Sequence, residues 1–173
     1  MADVAAEAGV APATVYRHFS GRSDLLDAVL ASTALRVSGS LEQLVLEAAS
    51  LGEILTEGLV QIVDLLENDP LVSAMFSGDD RLVAGATVTG SAQIRQIAAG
   101  AADDVITARP DLATELRVGL PIEHAVDHLI AVGLSLVLTE SPLTADPAAQ
   151  RRYVQTFVLP ALLETRPPLP EQS

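Results

Sequence analysis

The chain contains no cysteine, no tryptophan and no lysine. Without thiols it can form no disulfide, build no thiolate metal site and offer no cysteine nucleophile. Aromatic residues make up only 3% of the sequence, so any core must be built from Leu, Val, Ala and Ile. Alternating apolar runs bounded by hairpin dipeptides are absent, which argues against a sheet. The longest strongly apolar stretch, Leu129–Leu138, is too short to span a bilayer. The N-terminus lacks a basic region followed by an apolar run, so no signal peptide is expected. These absences predict a soluble cytoplasmic protein.

What the chain has is length, apolarity and negative charge. Its 173 residues are 49% hydrophobic, enough for one core or for a small lobe beside a larger one. The formal net charge is −13, but it is unevenly spread. Residues 1–40 hold three Arg against four acidic residues, a net of −1, and the remaining −12 lies downstream. A nearly neutral head on an acidic body can still contact phosphates locally, with modest salt sensitivity.

One stretch has spacing that specifies a mechanical device. Val4, Ala5 and Ala8 form an apolar-periodic run that ends at Gly9, the residue type that most readily closes a helix in the left-handed conformation. Pro12 follows, and proline opens a helix without sacrificing a needed N–H. Two helices joined by so short a turn read as a helix-turn-helix. Val4, Ala8, Val10 and Val15 are expected to fill the angle between them. The second helix is the reader: Pro12, Ala13 and Thr14 would enter the major groove. Thr14 suits a base edge or phosphate and Ala13 a thymine methyl. Tyr16, Arg17, His18 and Arg22 suit phosphates, which fix register.

These residues resemble the tetracycline-repressor-like (TetR) family of transcriptional regulators. The matching words are Asp3-Val4-Ala5, Ala8-Gly9-Val10 and Thr14-Val15-Tyr16-Arg17-His18-Phe19, followed by Arg22 and Leu25-Leu26. The first half alone is also similar to the lactose-repressor-like family; Tyr16, His18 and Phe19 favour the former. Ala11 stands where that family usually has a Ser or Thr cap, a loss of roughly 1 kcal/mol. Gly21 stands where a Ser often caps the next helix, a loss of about a few tenths of a kcal/mol. The resemblance also implies a further helix ahead of the motif. The sequence starts already in the second one, so an N-terminally truncated or late-started chain is expected.

Downstream, the pattern is helical throughout. Arg22 to about Ala49 reads as one helix, or two broken near Ser38-Gly39-Ser40. Ser50-Leu51-Gly52-Glu53 is a capping-box pattern, followed by the apolar stripe Leu55, Leu59, Ile62 and Leu66. Asp69 is placed to cap a short helix beginning at Pro70. The region from Asp80 to Ala108 carries Gly85, Gly90 and Gly100, each costing roughly 1 kcal/mol in a helix interior. It is either a marginal helix or one lining a cavity. Arg109-Pro110-Asp111 breaks the chain, and Pro121 opens a helix to about Thr139. Asp146-Pro147 starts the last helix, with Tyr153, Phe157 and Val158 inward and a kink or end at Pro160.

The expected fold is therefore all-α: a helix-turn-helix lobe over 1–38, an effector-binding and dimerisation lobe over 39–165, and a tail over 166–173. Candidate ligand-binding residues are Met75, Phe76, Gln93, Arg117, His124 and His128. The two His are four residues apart, a spacing that suits two ligands of a zinc or nickel ion. No third or fourth ligand is legible, so a pocket or a dimer seam is the expectation and no metal or cofactor is assigned. Ser-His-Asp words, phosphate-cradling loops and zinc-protease motifs are missing, so no catalytic residue is assigned and no enzyme is expected. The resemblance implies a ligand-responsive repressor. It would be a homodimer through 122–139 and 147–163, binding double-stranded operator DNA and a small-molecule effector. The alternative is a helical small-molecule-binding or scaffold protein that does not bind DNA.

Overall fold

Gly9 adopts a positive φ of 66°. Its N–H donates to the Ala6 carbonyl at 3.2 Å, and the Val10 N–H donates to the Ala5 carbonyl at 3.0 Å. These paired bonds are a Schellman cap, which satisfies the last carbonyls of a helix. The computed structural model describes residues 5–6, 9–69, 81–139, 141 and 144–164. The short helix expected from Pro70, together with Met75, Phe76 and the 166–173 tail, lies outside them.

After the turn, Pro12 starts α1 (Pro12–His18), and Ala11 at its N-cap offers no side-chain bond. Helix α2 (Arg22–Ser40) follows, capped at Gly21 without a side-chain bond. Its first turn is instead tied by Asp24, whose Oδ2 accepts from the Ser20 N–H at 2.9 Å and the Ser20 hydroxyl at 3.3 Å. The chain breaks at Leu41, giving α3 (Glu42–Glu47). Helix α4 (Leu51–Asn68) opens with the expected cap: the Glu53 N–H donates to Ser50 Oγ at 3.1 Å. The reciprocal bond reaches one residue further back, from the Ala49 N–H to Glu53 Oε2 at 2.8 Å.

The glycine-rich region forms two helices, α5 (Arg81–Gly90) and α6 (Ala92–Ala108). Ser91 breaks the chain between them, and its hydroxyl caps α6 by accepting from the Ile94 N–H. A Cβ on Gly85 would lie 3.1 Å from Leu138 Cδ1, so this glycine permits α5 to approach the helix that carries Leu138. After α7 (Pro110–Ala113), residues 114–118 run beside 162–164, joined by an isolated antiparallel bridge between Leu116 and Leu163. Among the described residues there is no β-strand.

Helix α8 (Ile122–Leu138) packs on α4, α5 and α6. The last segment begins with α9 (Pro147–Tyr153), capped by Asp146, which accepts from the Ala149 N–H at 2.8 Å. It then widens into a π-turn over Val154–Val158 and returns to α10 (Leu159–Leu162). The Leu159 N–H donates to the carbonyl of Val154, five residues back. Pro160 lacks an N–H, and its ring crowds the carbonyl four residues before it; the wider turn just upstream accommodates both. The chain thus passes through Pro160 and ends its helix at Leu163, rather than at the proline.

The main core joins α4, α8 and this last segment through Leu59, Val63, Val132, Leu136, Val154, Val158 and Leu162. The expected inward set needs one correction. Val154 and Val158 are buried, and Tyr153 packs at the margin, but Phe157 is 61% exposed. Val154 and Val158, four apart, define the inward face, and Phe157 falls one step around the helix beside the Tyr153 ring. A second cluster joins Val45, Ala48, Leu51, Ile54 and Leu112. A third joins Leu30 of α2 to Ala84 and Ile94, anchoring α2 against α5 and α6. Val10 is 41% exposed and does not fill the helix-turn-helix angle; among the described residues Ala5 and Val15 are buried there.

Candidate DNA-reading face and ligand cavity

Helix α1 buries Val15 and turns the rest of its surface outward. Pro12, Ala13, Tyr16, Arg17 and His18 are exposed and Thr14 is half-buried. A single buried residue in two turns leaves most of the helix circumference open to a partner. Arg17 and His18 lie in the last turn, where the helix dipole favours positive charge. Arg22 begins α2; its side chain lies outside the described residues.

The larger part of the molecule encloses a cavity of about 280 Å³. Its walls come from α2, α4, α5, α6 and α8, with Leu41 at the start of α3. Aliphatic side chains dominate: Leu55, Ile62, Ile97, Val126 and Leu134 are representative. Thr33 and Ser38 supply the hydroxyls on the lining, and both stand on α2. The Ser38 hydroxyl donates to the Ala34 carbonyl at 3.0 Å. Thr33 Oγ1 accepts from Arg36 Nη2 at 3.3 Å, and the same guanidinium is paired with Asp69.

The residues singled out as ligand contacts lie elsewhere. Gln93, Arg117, His124 and His128 are exposed, and none of them lines the cavity. Arg117 donates to the Pro160 carbonyl. His124 and His128 share an outer stripe of α8 with Ala131 and Ser135. Among the described residues, no group of three His, Cys, Asp or Glu side chains is placed to hold a metal ion. The cavity walls were missed because an all-aliphatic lining reads in sequence as ordinary core. The one usable signal was the glycine-weakened stretch now seen as α5 and α6, of which Val88, Ile94, Ile97, Ala101 and Val105 reach the cavity.

Comparison with known proteins addresses the first of these two sites. Residues 1–29 match the family model of bacterial regulatory proteins, tetR family. This segment is a TetR-type domain, and it places the chain among DNA-binding transcription regulators. No curated protein matches the chain, and no solved structure does. Among the described residues, no helix is long and apolar enough to cross a membrane.

Proposed function

We propose that the protein is a ligand-responsive repressor that acts as a homodimer on double-stranded operator DNA. The carrying observation is that the helix after the reading motif, α2, also forms a wall of the cavity through Leu30, Thr33, Ala34 and Val37. A ligand in the cavity therefore touches the same rigid element that holds α1. A ligand that prefers one tilt of α2 shifts the population of reading-head positions toward it. In this reading Pro12, Ala13 and Thr14 meet bases, and Tyr16, Arg17, His18 and Arg22 meet phosphates.

Dimerisation through 122–139 and 147–163 is supported by what those segments leave open. The outer stripe of α8 carries small residues, Ala131 and Ser135, which permit close helix approach. Phe157 is exposed on the neighbouring segment. A two-fold pair would place two readers one DNA turn apart, about 34–36 Å. The lobes are read as 1–38 and 39–165, with α2 crossing between them.

The test is fluorescence anisotropy against the DNA flanking the protein's own gene, with sedimentation to report size. The reading expects tight, salt-dependent binding by a dimer. A monomer at micromolar concentration rejects the interface, and equal affinity for unrelated DNA rejects the operator reading in favour of a helical binding or scaffold protein.

A further inference from the structure

We infer that the cavity takes a neutral, aliphatic molecule of about ten heavy atoms with one hydrogen-bond acceptor, directed to the Thr33 hydroxyl. This rests on the reading of the cavity as the effector site and goes beyond it by naming the ligand's chemistry.

Size comes first. Filling about 280 Å³ at the packing density of protein interiors, about 0.74, calls for a ligand van der Waals volume of about 200 Å³. That is a chain or ring system of ten or so carbons. Charge comes next. No Asp, Glu, Arg or His is among the described residues lining the cavity. An ion entering it loses its hydration with nothing in return, a prohibitive exchange in an apolar interior. The guanidinium that reaches Thr33, that of Arg36, is already paired with Asp69 and is not free for a ligand anion. The acidic body, at −13 overall, further disfavours carboxylates and phosphates. A cation finds no aromatic face either, because no Phe, Tyr or Trp is among the described lining residues. Apolar cavities of this kind stay dry and accept hydrocarbons.

Polarity comes last. The Ser38 hydroxyl gives its proton to the Ala34 carbonyl. The Thr33 hydroxyl, on a buried residue, receives a bond from Arg36 and retains its own proton to give. A ketone, ester or ether oxygen answers it. Because Thr33 stands on α2, that bond would seat the ligand's polar end on the helix that carries the reading head.

The test is calorimetric titration of the purified full chain, without DNA, using decanone, decane, decanoate and decylammonium as probes. Decanone is expected to bind, with a negative heat-capacity change. Decanoate and decylammonium are expected to bind at least about tenfold more weakly. Thr33→Val is expected to weaken decanone by about three- to tenfold and to leave decane unchanged. Ala101→Leu, which fills the cavity, is expected to abolish both; Ala98→Leu is the second filling variant, and circular dichroism confirms that each folds. Failure of decanone to bind, a charged probe binding as well as decanone, or binding that survives both filling variants overturns the inference. Decanone binding that follows this pattern but leaves DNA affinity unchanged supports the assignment of chemistry and rejects the effector reading instead.

Discussion

Arg151 and Glu57 tie α9 to α4 through two parallel hydrogen bonds, from Nε to Oε1 at 2.7 Å and from Nη2 to Oε2 at 2.8 Å. This fork fixes the last segment of the chain against the helix that forms one side of the cavity. The bond from Arg151 holds the Glu57 carboxyl below the usual glutamate value, against an opposing effect of burial, and the guanidinium charge lowers it further. A depressed folded-state pKa stabilises the protein at pH above the unfolded glutamate value, about 4.3, and the stabilisation is lost as pH falls through the folded value. Glu57→Gln should therefore lower the urea midpoint near neutral pH and converge with the native protein by about pH 3. Both side chains are partly exposed, so the effect should be small and should shrink in salt. A gap that persists undiminished in acid would show that the pair's charge is not its contribution.

The uncapped start of α1 makes a second prediction. Ala11 has φ −67° and ψ 142°, the extended geometry from which a Ser or Thr side chain reaches the N–H two or three residues on. Ala11→Ser should raise the stability of the folded chain by about 1 kcal/mol, read from urea denaturation. No gain would mean that those N–H groups already have other partners.

Gly100 and Gly85 should respond differently to the same change. Gly100 lies inside α6 with open space around the position of an added Cβ. Gly100→Ala should stabilise by about 0.5–1 kcal/mol through helix propensity alone. At Gly85 the new methyl would press on Leu138 Cδ1, so Gly85→Ala should recover less of that gain. Thermal melts of the two variants side by side decide the matter, and equal gains would place α5 further from α8 than described.

Arg17 and Thr14 separate positioning from specificity on the proposed reading face. Replacing a phosphate-contacting Arg17 with Ala should weaken binding to all sequences and reduce the salt slope by about 1. Thr14→Ala should act mainly on the preferred sequence, with a loss of about 1–3 kcal/mol at the base it reads. Anisotropy across a salt series distinguishes the two. An unchanged slope for Arg17→Ala would remove that residue from the contact.

The parts of the fold that were legible are those written in local chemistry. Gly9 and Pro12 announce the turn, Ser50 and Glu53 the start of α4, and Asp146 and Pro147 the start of α9. Each acts through bonds within a few residues, so spacing alone reveals it. Long-range partners were hidden. Arg109, read as part of a chain break, donates to the Val45 and Ala48 carbonyls at 3.1 and 3.0 Å. It thereby closes α3 from sixty-odd residues away, with Asp111 as its second partner. Glu115 in turn accepts from the Leu51 N–H at 3.0 Å. Phe157 was misplaced because apolarity identified a helix face but the π-turn and the neighbouring valines decided which residues took it. The cavity was invisible for a related reason: five helices contribute aliphatic residues to it, and only their packing shows that space remains between them.

The wide turn at Val154–Val158 bears on how this segment can change length. Each residue of an ordinary α-spiral advances by about 100°, and a π-turn houses one more residue than that spiral needs. Removing one residue there would re-phase everything downstream. Leu162 would swing away from Val158, Leu163 from its partner Leu116, and the Pro160 carbonyl from Arg117. Gln155 and Thr156 are both exposed, so their identities are nearly free while their number is not. Point substitutions at these two positions pass unnoticed where a single-codon deletion disassembles the end of the molecule.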